Sequence, residues 1–217
     1  MLPLLLRNGA AKPVRMLAIG AHPDDIEIGC GGTVVRLLEQ GALGEVWWVV
    51  LSGTPERVAE ARASATALLG KVPHQIIVTE FADGFFPYIG QDVKGLFERL
   101  KRDCAPDIVL THQRDDLHQD HRLTCDLTWN TFRDHLILEY EVPKYDGDLG
   151  RPNLFVTLSD SISAQKIRHL MTYFASQASK HWFEEGLFSG LLRVRGMECK
   201  SPTSYAEAFY CRKAVLA

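Results

Sequence analysis

The sequence lacks the features that identify several classes of protein. None of its apolar runs approaches the roughly 18–20 residues that a membrane-spanning helix needs. The formal net charge is only −3, so the chain has no general basic character of the kind that nucleic-acid-binding proteins show. In residues 1–15 a short apolar patch precedes the basic residues, whereas a secretory signal has its basic end first and a longer apolar region. We therefore expect no membrane span, no nucleic-acid partner and no secretory signal.

Disulfide and thiolate chemistry are also unsupported. The chain has five cysteines, an odd number, and they are widely spaced with no C-x-x-C pair. Neither a disulfide framework nor a zinc site built from thiolates is indicated. The sequence instead predicts a reduced, cytoplasmic protein whose thiols are mostly buried, namely Cys30, Cys104, Cys125, Cys199 and Cys211.

What the chain does contain is an alternation of two apolar patterns. Short runs rich in β-branched and aromatic residues alternate with longer segments of helical period. Strands are predicted at 14–20, 46–51, 75–79 and 107–111, with helices at 32–40, 55–70 and 92–104. A less regular second half adds strands at 136–140 and 153–158 and helices at 163–177 and 181–194. There is no repeat and no linker, so residues 1–217 are expected to form a single domain.

This order of elements predicts an α/β fold of the three-layer, Rossmann-like type, with a mostly parallel sheet and helices on both faces. In such sheets, ligands bind beyond the carboxyl ends of the strands, near the topological switch point. Two polar segments follow predicted strands, one after the first strand and one after the fourth. A functional site is therefore expected where these two segments meet.

The first segment is AHPDDIEIGCGG, residues 21–32. Pro23 restricts the backbone, so the chain leaves the strand in a defined turn. His22 and Asp25 can converge on one point around that turn, and imidazole and carboxylate are ordinary zinc ligands, while Asp24 stays free for another task. The alternative is an aspartate-rich turn that caps the next helix, with His22 merely exposed.

The glycines of this segment do not form a nucleotide-binding loop. Gly29, Gly31 and Gly32 would need a further Gly or Ala where Val34 stands to complete a dinucleotide fingerprint, and no G-K-[ST] is present. These glycines are expected instead to let the helix pack closely against the sheet beside the site.

The second segment is HQRDDLHQDHR, residues 112–122. His118 and His121 are three residues apart, so one helical turn would place them on the same face. Asp120 can accept the spare ring N–H of a histidine, as carboxylates do around metal sites. The alternative is a charged loop whose histidines are there by coincidence.

Taken together, the two segments favour a metal site. Loops after the first and fourth strands of a parallel sheet can lie side by side at the switch point. Three protein ligands with an open fourth position are typical of a catalytic zinc, whereas structural zinc sites are usually closed by four. A carboxylate and an imidazole would be left over for base and acid roles in metal-assisted hydrolysis.

These motifs resemble those of the PIG-L/LmbE-like family of zinc-dependent N-acetylglucosamine deacetylases. The resemblance rests on H-P-D-D-x-E-x-G-C-G-G-T after a first strand and on H-x-D-H at residues 118–121. It extends over most of the chain, through Arg57 with Glu60, Asp83–Gly84, PDIVLTH at 106–112 and YAEAF at 205–209.

Carried over residue by residue, the resemblance implies a role for each polar group. It implies that the metal, zinc or another divalent ion such as Fe²⁺, is bound by His22, Asp25 and His121. It implies that Asp24 is the general base, and that His118, oriented by Asp120, stabilises the oxyanion as an imidazolium or acts as an acid. It implies that Arg57 and Asp83 contact the sugar.

The expected function is the removal of an N-acetyl group from an amino sugar or its conjugate. Two alternatives remain: an amidohydrolase acting on another acylated scaffold, such as an antibiotic or thiol-cofactor precursor, and a non-catalytic sugar- or nucleotide-sugar-binding module. The expected partner is a small N-acetylated molecule, and the sequence leaves room for a homo-oligomer.

Several other residues stay open at this level. Arg57 can equally pair with Glu56 or Glu60 on its own helix. Glu139 and Glu141 end a predicted strand and can point into the site, and the loop at 143–153 can contribute to specificity. His112 is given no role.

Overall fold

A computed structural model describes residues 12–215 of the chain. Residues 1–11, on which most of the argument against a secretory signal depends, lie outside the described residues. Among the helices of the described part, none combines the length and the apolar character that crossing a membrane requires.

The described chain alternates strands and helices through its first five strands. The strands are β1 (Val14–Gly20), β2 (Leu43–Ser52), β3 (His74–Phe81), β4 (Ile108–His112), β5 (Leu136–Tyr140), β6 (Leu154–Thr157) and β7 (Ala206–Cys211). The helices are α1 (Asp25–Glu39), α2 (Pro55–Leu69), α3 (Gly90–Asp103), α4 (Gln119–Thr131), α5 (Asp160–Tyr173) and α6 (Glu185–Glu198). Two short 3₁₀ helices lie at Phe86–Tyr88 and Ala175–Gln177.

The seven strands form one sheet in the order β3-β2-β1-β4-β5-β7-β6. Strands β1 to β5 pair in parallel, and β7 runs antiparallel to both β5 and β6. From β1 the chain proceeds to one edge through β2 and β3, then returns to β4 on the other side. The switch point therefore lies between β1 and β4, and it brings the segments after these two strands together.

Helices cover both faces of the sheet because its central strands are apolar on both sides. Met16 and Ala18 point into one core, with side chains of α1, α2, α5 and α6, whereas Leu17 and Ile19 point into the other, with those of α3 and α4. This alternation is the two-residue period of a strand. The predicted three-layer α/β fold is confirmed.

Three elements differ from the sequence-based prediction. Helix α1 begins at Asp25 and not at residue 32, so the glycines of the first segment lie inside the helix. The low helix propensity of glycine is overridden there by packing. Helix α4, which starts beside His118, and strand β7, within the YAEAF motif, were not predicted as elements.

Gly29 shows why packing requires glycine inside α1. A Cβ atom built on Gly29 would lie 2.1 Å from Cδ2 of Tyr140, whose side chain is fully buried. The Tyr140 hydroxyl donates to the Ile19 carbonyl at 2.7 Å, which holds the ring in place. At Gly31 the nearest atoms to such a Cβ are 3.8 Å and 4.0 Å away, in ordinary contact.

We expect Gly29→Ala and Gly31→Ala to have opposite effects on stability. Gly29→Ala should lower the free energy of unfolding by about 1–3 kcal/mol, because the added methyl group overpacks the core. Gly31→Ala should leave it unchanged or raise it by up to about 1 kcal/mol, because alanine favours the helix. Urea titrations of both variants measure the difference, and equal midpoints would contradict the close approach of α1 to Tyr140.

The YAEAF motif has a structural explanation in Glu207, which lies on β7. Its carboxylate accepts the backbone N–H groups of Gly32 at 2.8 Å and Thr33 at 2.6 Å. Lys166 of α5 donates to the same carboxylate at 2.6 Å. Glu207 thus joins β7 to α1 and α5.

Candidate metal centre

The two polar segments meet at the switch point, as predicted. His22 and Asp25 lie in the turn after β1 and at the start of α1, while His121 lies in the first turn of α4, after β4. All three residues are buried. Because β1 and β4 are neighbours in the sheet, the two segments are held against each other by backbone pairing.

Three ligand atoms converge at this point. His22 Nδ1 lies 3.1 Å from His121 Nε2, and Asp25 Oδ2 lies 3.4 Å from each of these nitrogens. Ligand bonds of about 2.1 Å in a tetrahedral site require separations of about 3.4 Å between ligand atoms. The residues present therefore fit a single divalent ion. Three further groupings of possible ligands share residues with this one: His22 with His118 and His121, His22 with Asp83, His118 and Asp120, and Asp25 with His112 and His121.

The rings of both histidines are oriented by carboxylates on their far sides. His22 Nε2 lies 3.0 Å from Asp83 Oδ1 and 3.2 Å from Asp120 Oδ2. His121 Nδ1 lies 2.9 Å from Asp116 Oδ2. Each carboxylate can accept the proton of its ring nitrogen, which leaves the lone pair of the other nitrogen directed at the convergence point.

The position of Asp120 differs from the expectation that it orients His118. Its carboxylate accepts the backbone N–H groups of Gly84 at 2.6 Å and Phe86 at 3.1 Å and contacts His22. The link to His118 is through the backbone, since the N–H of Asp120 donates to His118 Nδ1 at 3.2 Å.

The surroundings of His118 favour a neutral imidazole ring that can donate a hydrogen bond. Burial, followed by the nearby His121 and His22, lowers the pKa of His118, and the opposing effect of Asp120 is smaller. A lowered pKa favours the neutral form of the ring near neutral pH. Because Nδ1 accepts a hydrogen bond, the proton of the neutral ring is on Nε2.

Asp24 occupies the N-cap position of α1 with a backbone φ of 89°, a left-handed conformation that residues other than glycine rarely adopt. Burial raises the pKa of its carboxyl group to about 7, although the Arg57 guanidinium acts to lower it. Among the described residues, Oδ2 has an ion pair with Arg57 at 3.1 Å but no hydrogen-bond donor. A carboxyl group with this pKa can take up and release a proton near neutral pH.

Arg57 points towards the site and not along its own helix. Its guanidinium donates to the Pro23 carbonyl and pairs with Asp24. Glu60, the alternative partner, instead accepts from the N–H and hydroxyl of Ser176 at 2.9 Å and 2.6 Å. The structure thus places Arg57 beside the carboxylate proposed as the base.

Asp83 lies at the mouth of the site, where 64% of its side chain is exposed. Its hydrogen bond with His22 lowers the pKa of Asp83 to about 2, so this carboxylate is ionised at neutral pH. It is thus close enough to the cluster to face a bound molecule and also to steady a proposed ligand.

Two residues of the site were missed by sequence reasoning. His112 is fully buried, stacks on His121 with ring centroids 3.8 Å apart, and accepts the N–H of Ala21 at 2.9 Å. Burial lowers the pKa of His112 to about 4, so the ring is neutral. Asp116, also fully buried, holds His121. The signal for both was their place at the carboxyl end of β4, with His112 as its last residue and Asp116 in the segment that follows.

Glu139 and Glu141 do not enter the site. Glu139 accepts from Arg212 and Trp129, each at 2.7 Å. Glu141 binds the Arg195 guanidinium with both oxygens, at 2.9 Å and 3.0 Å. Both carboxylates are therefore occupied in structural ion pairs.

Comparison with known proteins gives one family. Residues 17–132 match the model of the PIG-L family, described as GlcNAc-PI de-N-acetylase. The uncharacterized deacetylase YaiS of Escherichia coli (strain K12) is 35% identical over 123 residues, which are 54% of this chain. The match spans 66% of the length of YaiS, just under two thirds.

Two solved structures show the same fold. N,N'-diacetylchitobiose deacetylase from Pyrococcus horikoshii, complexed with its inhibitor MPG, is similar with a TM-score of 0.66 and 20% identity, over 90% of this chain and 82% of that one. GalB, the 4-carboxy-2-hydroxymuconate hydratase from Pseudomonas putida KT2440, is similar with a TM-score of 0.71 and 18% identity, over 94% of this chain and 98% of that one.

Proposed function

Because the chain belongs to the PIG-L family of GlcNAc-PI de-N-acetylases, we propose that it is a metal-dependent hydrolase that removes an N-acetyl group from an amino sugar or an amino-sugar conjugate. The observation that carries the proposal is the cluster of His22 Nδ1, Asp25 Oδ2 and His121 Nε2, with Asp24 beside it. The fold alone is insufficient support, since a deacetylase and a hydratase share it.

The proposed metal is zinc, with Fe²⁺ as the alternative, because imidazole and carboxylate ligands suit both ions. A divalent ion held by these three residues supplies Lewis acidity, which makes a water molecule more acidic and polarises an amide carbonyl. Asp120 holds the ring of His22 and Asp116 holds the ring of His121, so the two ligand nitrogens stay directed at the proposed ion.

Asp24 moves the protons in the proposed reaction. Its Oδ2 takes a proton from the attacking water and later delivers a proton to the departing amine nitrogen, so the carboxyl group ends the cycle ionised again. The pKa of about 7 suits both steps. The guanidinium of Arg57, 3.1 Å from Oδ2 of Asp24, fixes the orientation of this carboxylate and limits how far burial raises the pKa of Asp24.

His118 stabilises the negative charge that develops on the carbonyl oxygen. Its Nε2–H is free to donate because Nδ1 is already bound to the N–H of Asp120. A neutral imidazole donor is sufficient for this task, and donors of this kind contribute roughly 3–4 kcal/mol to the transition state.

The mouth of the site favours a conjugate over a free sugar. Large exposed apolar side chains adjoin the site residues: Phe85 follows Gly84, Leu117 precedes His118, and both are more than half exposed. Tyr88 and Tyr145 are exposed at 81% and 74%. Exposed apolar patches beside a polar site are typical of binding surfaces. Phe86, by contrast, is buried in the core.

An acetate-release screen with zinc-loaded and iron-loaded protein tests this function. Free N-acetylglucosamine, its glycosides, lipid-linked forms and nucleotide-linked forms are compared. We expect kcat/KM to be about tenfold higher for a glycoside with an apolar aglycone than for the free sugar, since burying an apolar group contributes about 1.5 kcal/mol.

The outcomes of the screen separate the alternatives. Acetate release from none of these compounds, with release of another acyl group from an antibiotic or thiol-cofactor precursor, would support the other amidohydrolase. Heat of N-acetylglucosamine binding in a calorimeter without any acetate release would support the non-catalytic module. The cytoplasmic location and a homo-oligomeric state remain predictions.

A further inference from the structure

A lysine from outside both sequence motifs contacts Asp116, the carboxylate that binds the proposed ligand His121. Lys144 follows β5, in the loop that leads to β6, and its Nζ lies 2.9 Å from Oδ1 of Asp116. The other oxygen of Asp116, Oδ2, binds His121 Nδ1 at 2.9 Å. Only 9% of the Lys144 side chain is exposed, and that of Asp116 is fully buried. Two contacts in succession therefore lead from the loop, through Asp116, to a proposed metal ligand.

The same lysine fastens its own loop to the segment after β4. Nζ of Lys144 also donates to Oδ2 of Asp148, whose side chain is 3% exposed. That oxygen accepts the backbone N–H of Leu117 at 2.8 Å, and Gln113 Nε2 donates to the carbonyl of Asp148 at 3.0 Å. One ammonium group thus bridges two buried carboxylates, one from each segment.

We propose that Lys144 is a positioning residue of the metal centre, which acts through Asp116 to hold the His121 ring and couples the loop at 141–153 to the metal. The inference rests on the metal-binding role proposed above for His121. It adds a residue from a third segment of the chain to the machinery of the site.

The ion pairs that Lys144 makes with Asp116 and Asp148 are better suited to positioning the His121 ring than to stabilising the fold. Buried ion pairs seldom stabilise a fold more than apolar side chains of similar size, because charges lose their hydration on burial. A carboxylate bound to a ligand histidine does, however, fix the orientation and tautomer of the ring. Asp116 Oδ1 also accepts the backbone N–H of His118 at 2.8 Å. The carboxylate is therefore held by Lys144 and by this N–H as well as by the His121 ring.

Metal affinity of the apo protein tests the proposal. The zinc Kd is measured by competition with a chromophoric chelator for wild type, Lys144→Met and Lys144→Arg. We expect Lys144→Met to raise Kd by about 10–100-fold, as loss of outer ligand partners does. Lys144→Arg should recover most of the affinity, because it restores the charge and donors. In turnover, kcat of Lys144→Met should fall while KM stays close to wild type.

Two further variants separate positioning from folding. Lys94→Met makes the same substitution at a more exposed ion pair, that of Lys94 with Glu98, and should leave the zinc Kd unchanged. The double variant Lys144→Met/Asp148→Asn relieves the repulsion between the two carboxylates, so it should melt close to wild type yet still bind zinc weakly. Wild-type zinc affinity in a folded Lys144→Met or double variant would overturn the proposal.

The result also stays separate from the proposed function. A protein that binds zinc but hydrolyses none of the screened substrates would contradict the proposed deacetylation. The ratio of the zinc Kd of Lys144→Met to that of wild type would still decide the role of Lys144.

Discussion

Asp24→Asn should lower kcat by about 10²–10⁴-fold while the protein still folds and binds its metal. An asparagine amide cannot take a proton from water, and loss of general base catalysis has an effect of this size. Asparagine is the right replacement because it is similar in shape and tolerates the left-handed backbone found at this position, where φ is 89°. Single-turnover acetate release with saturating substrate measures the effect.

Controls for this variant concern metal and fold. Metal content by atomic spectroscopy and the thermal midpoint should both match wild type, since Asp24 is not among the three proposed ligands. If Asp24→Asn keeps full activity with full metal content, the base must be another group. If it loses both activity and metal, Asp24 is itself a ligand, and the assignment of Asp25 needs revision.

Removal of the metal should abolish activity and loosen the fold. Dialysis against a chelator should lower kcat/KM by at least about 10³-fold, because Lewis acidity contributes several kcal/mol and each 1.36 kcal/mol corresponds to tenfold. Restoring zinc at 100 times its Kd should stabilise the folded state by about 2.7 kcal/mol. Activity and thermal midpoint are measured in the same titration, with Fe²⁺ and Zn²⁺ compared.

A matched pair of histidine variants makes this result specific. His121→Ala should lose both the activity and the stabilisation by added zinc. His135→Ala, which changes a histidine in the turn before β5, should keep both. Equal stabilisation of the two variants by zinc would place the bound ion elsewhere in the protein.

The fold was largely predictable because strand and helix periods alternate so regularly in the first half of the chain. The start of α1 was not, since Gly29, Gly31 and Gly32 argue against a helix by propensity alone. Their place in the helix depends on Tyr140, which lies more than a hundred positions along the chain and closes against Gly29. Strand β7 was missed because its pairing partners, β5 and β6, are also far from it in the sequence.

The histidines and Asp25 of the proposed site were predictable because each motif carries its own pattern, His22 with Asp25 and His118 with His121. Their surroundings were not. Asp120 looked like the partner of His118 because it is close in sequence, yet its side chain contacts His22 across the switch point. Lys144 lies in an irregular loop with no motif, and only the folded chain brings it to Asp116.

The placement of β7 between β5 and β6 has a consequence for the order of events during synthesis. In the described sheet, β6 is hydrogen-bonded to β7 and not to β5. Strands β1 to β5, which position the three proposed ligands, can assemble as the chain leaves the ribosome, whereas β6 must wait until β7 has been translated. The loop that carries Lys144 ends at β6, so the far end of this loop joins the sheet only after β7 has done so. A ribosome stalled before β7 would therefore display the three proposed ligands on a sheet that still lacks β6 and β7.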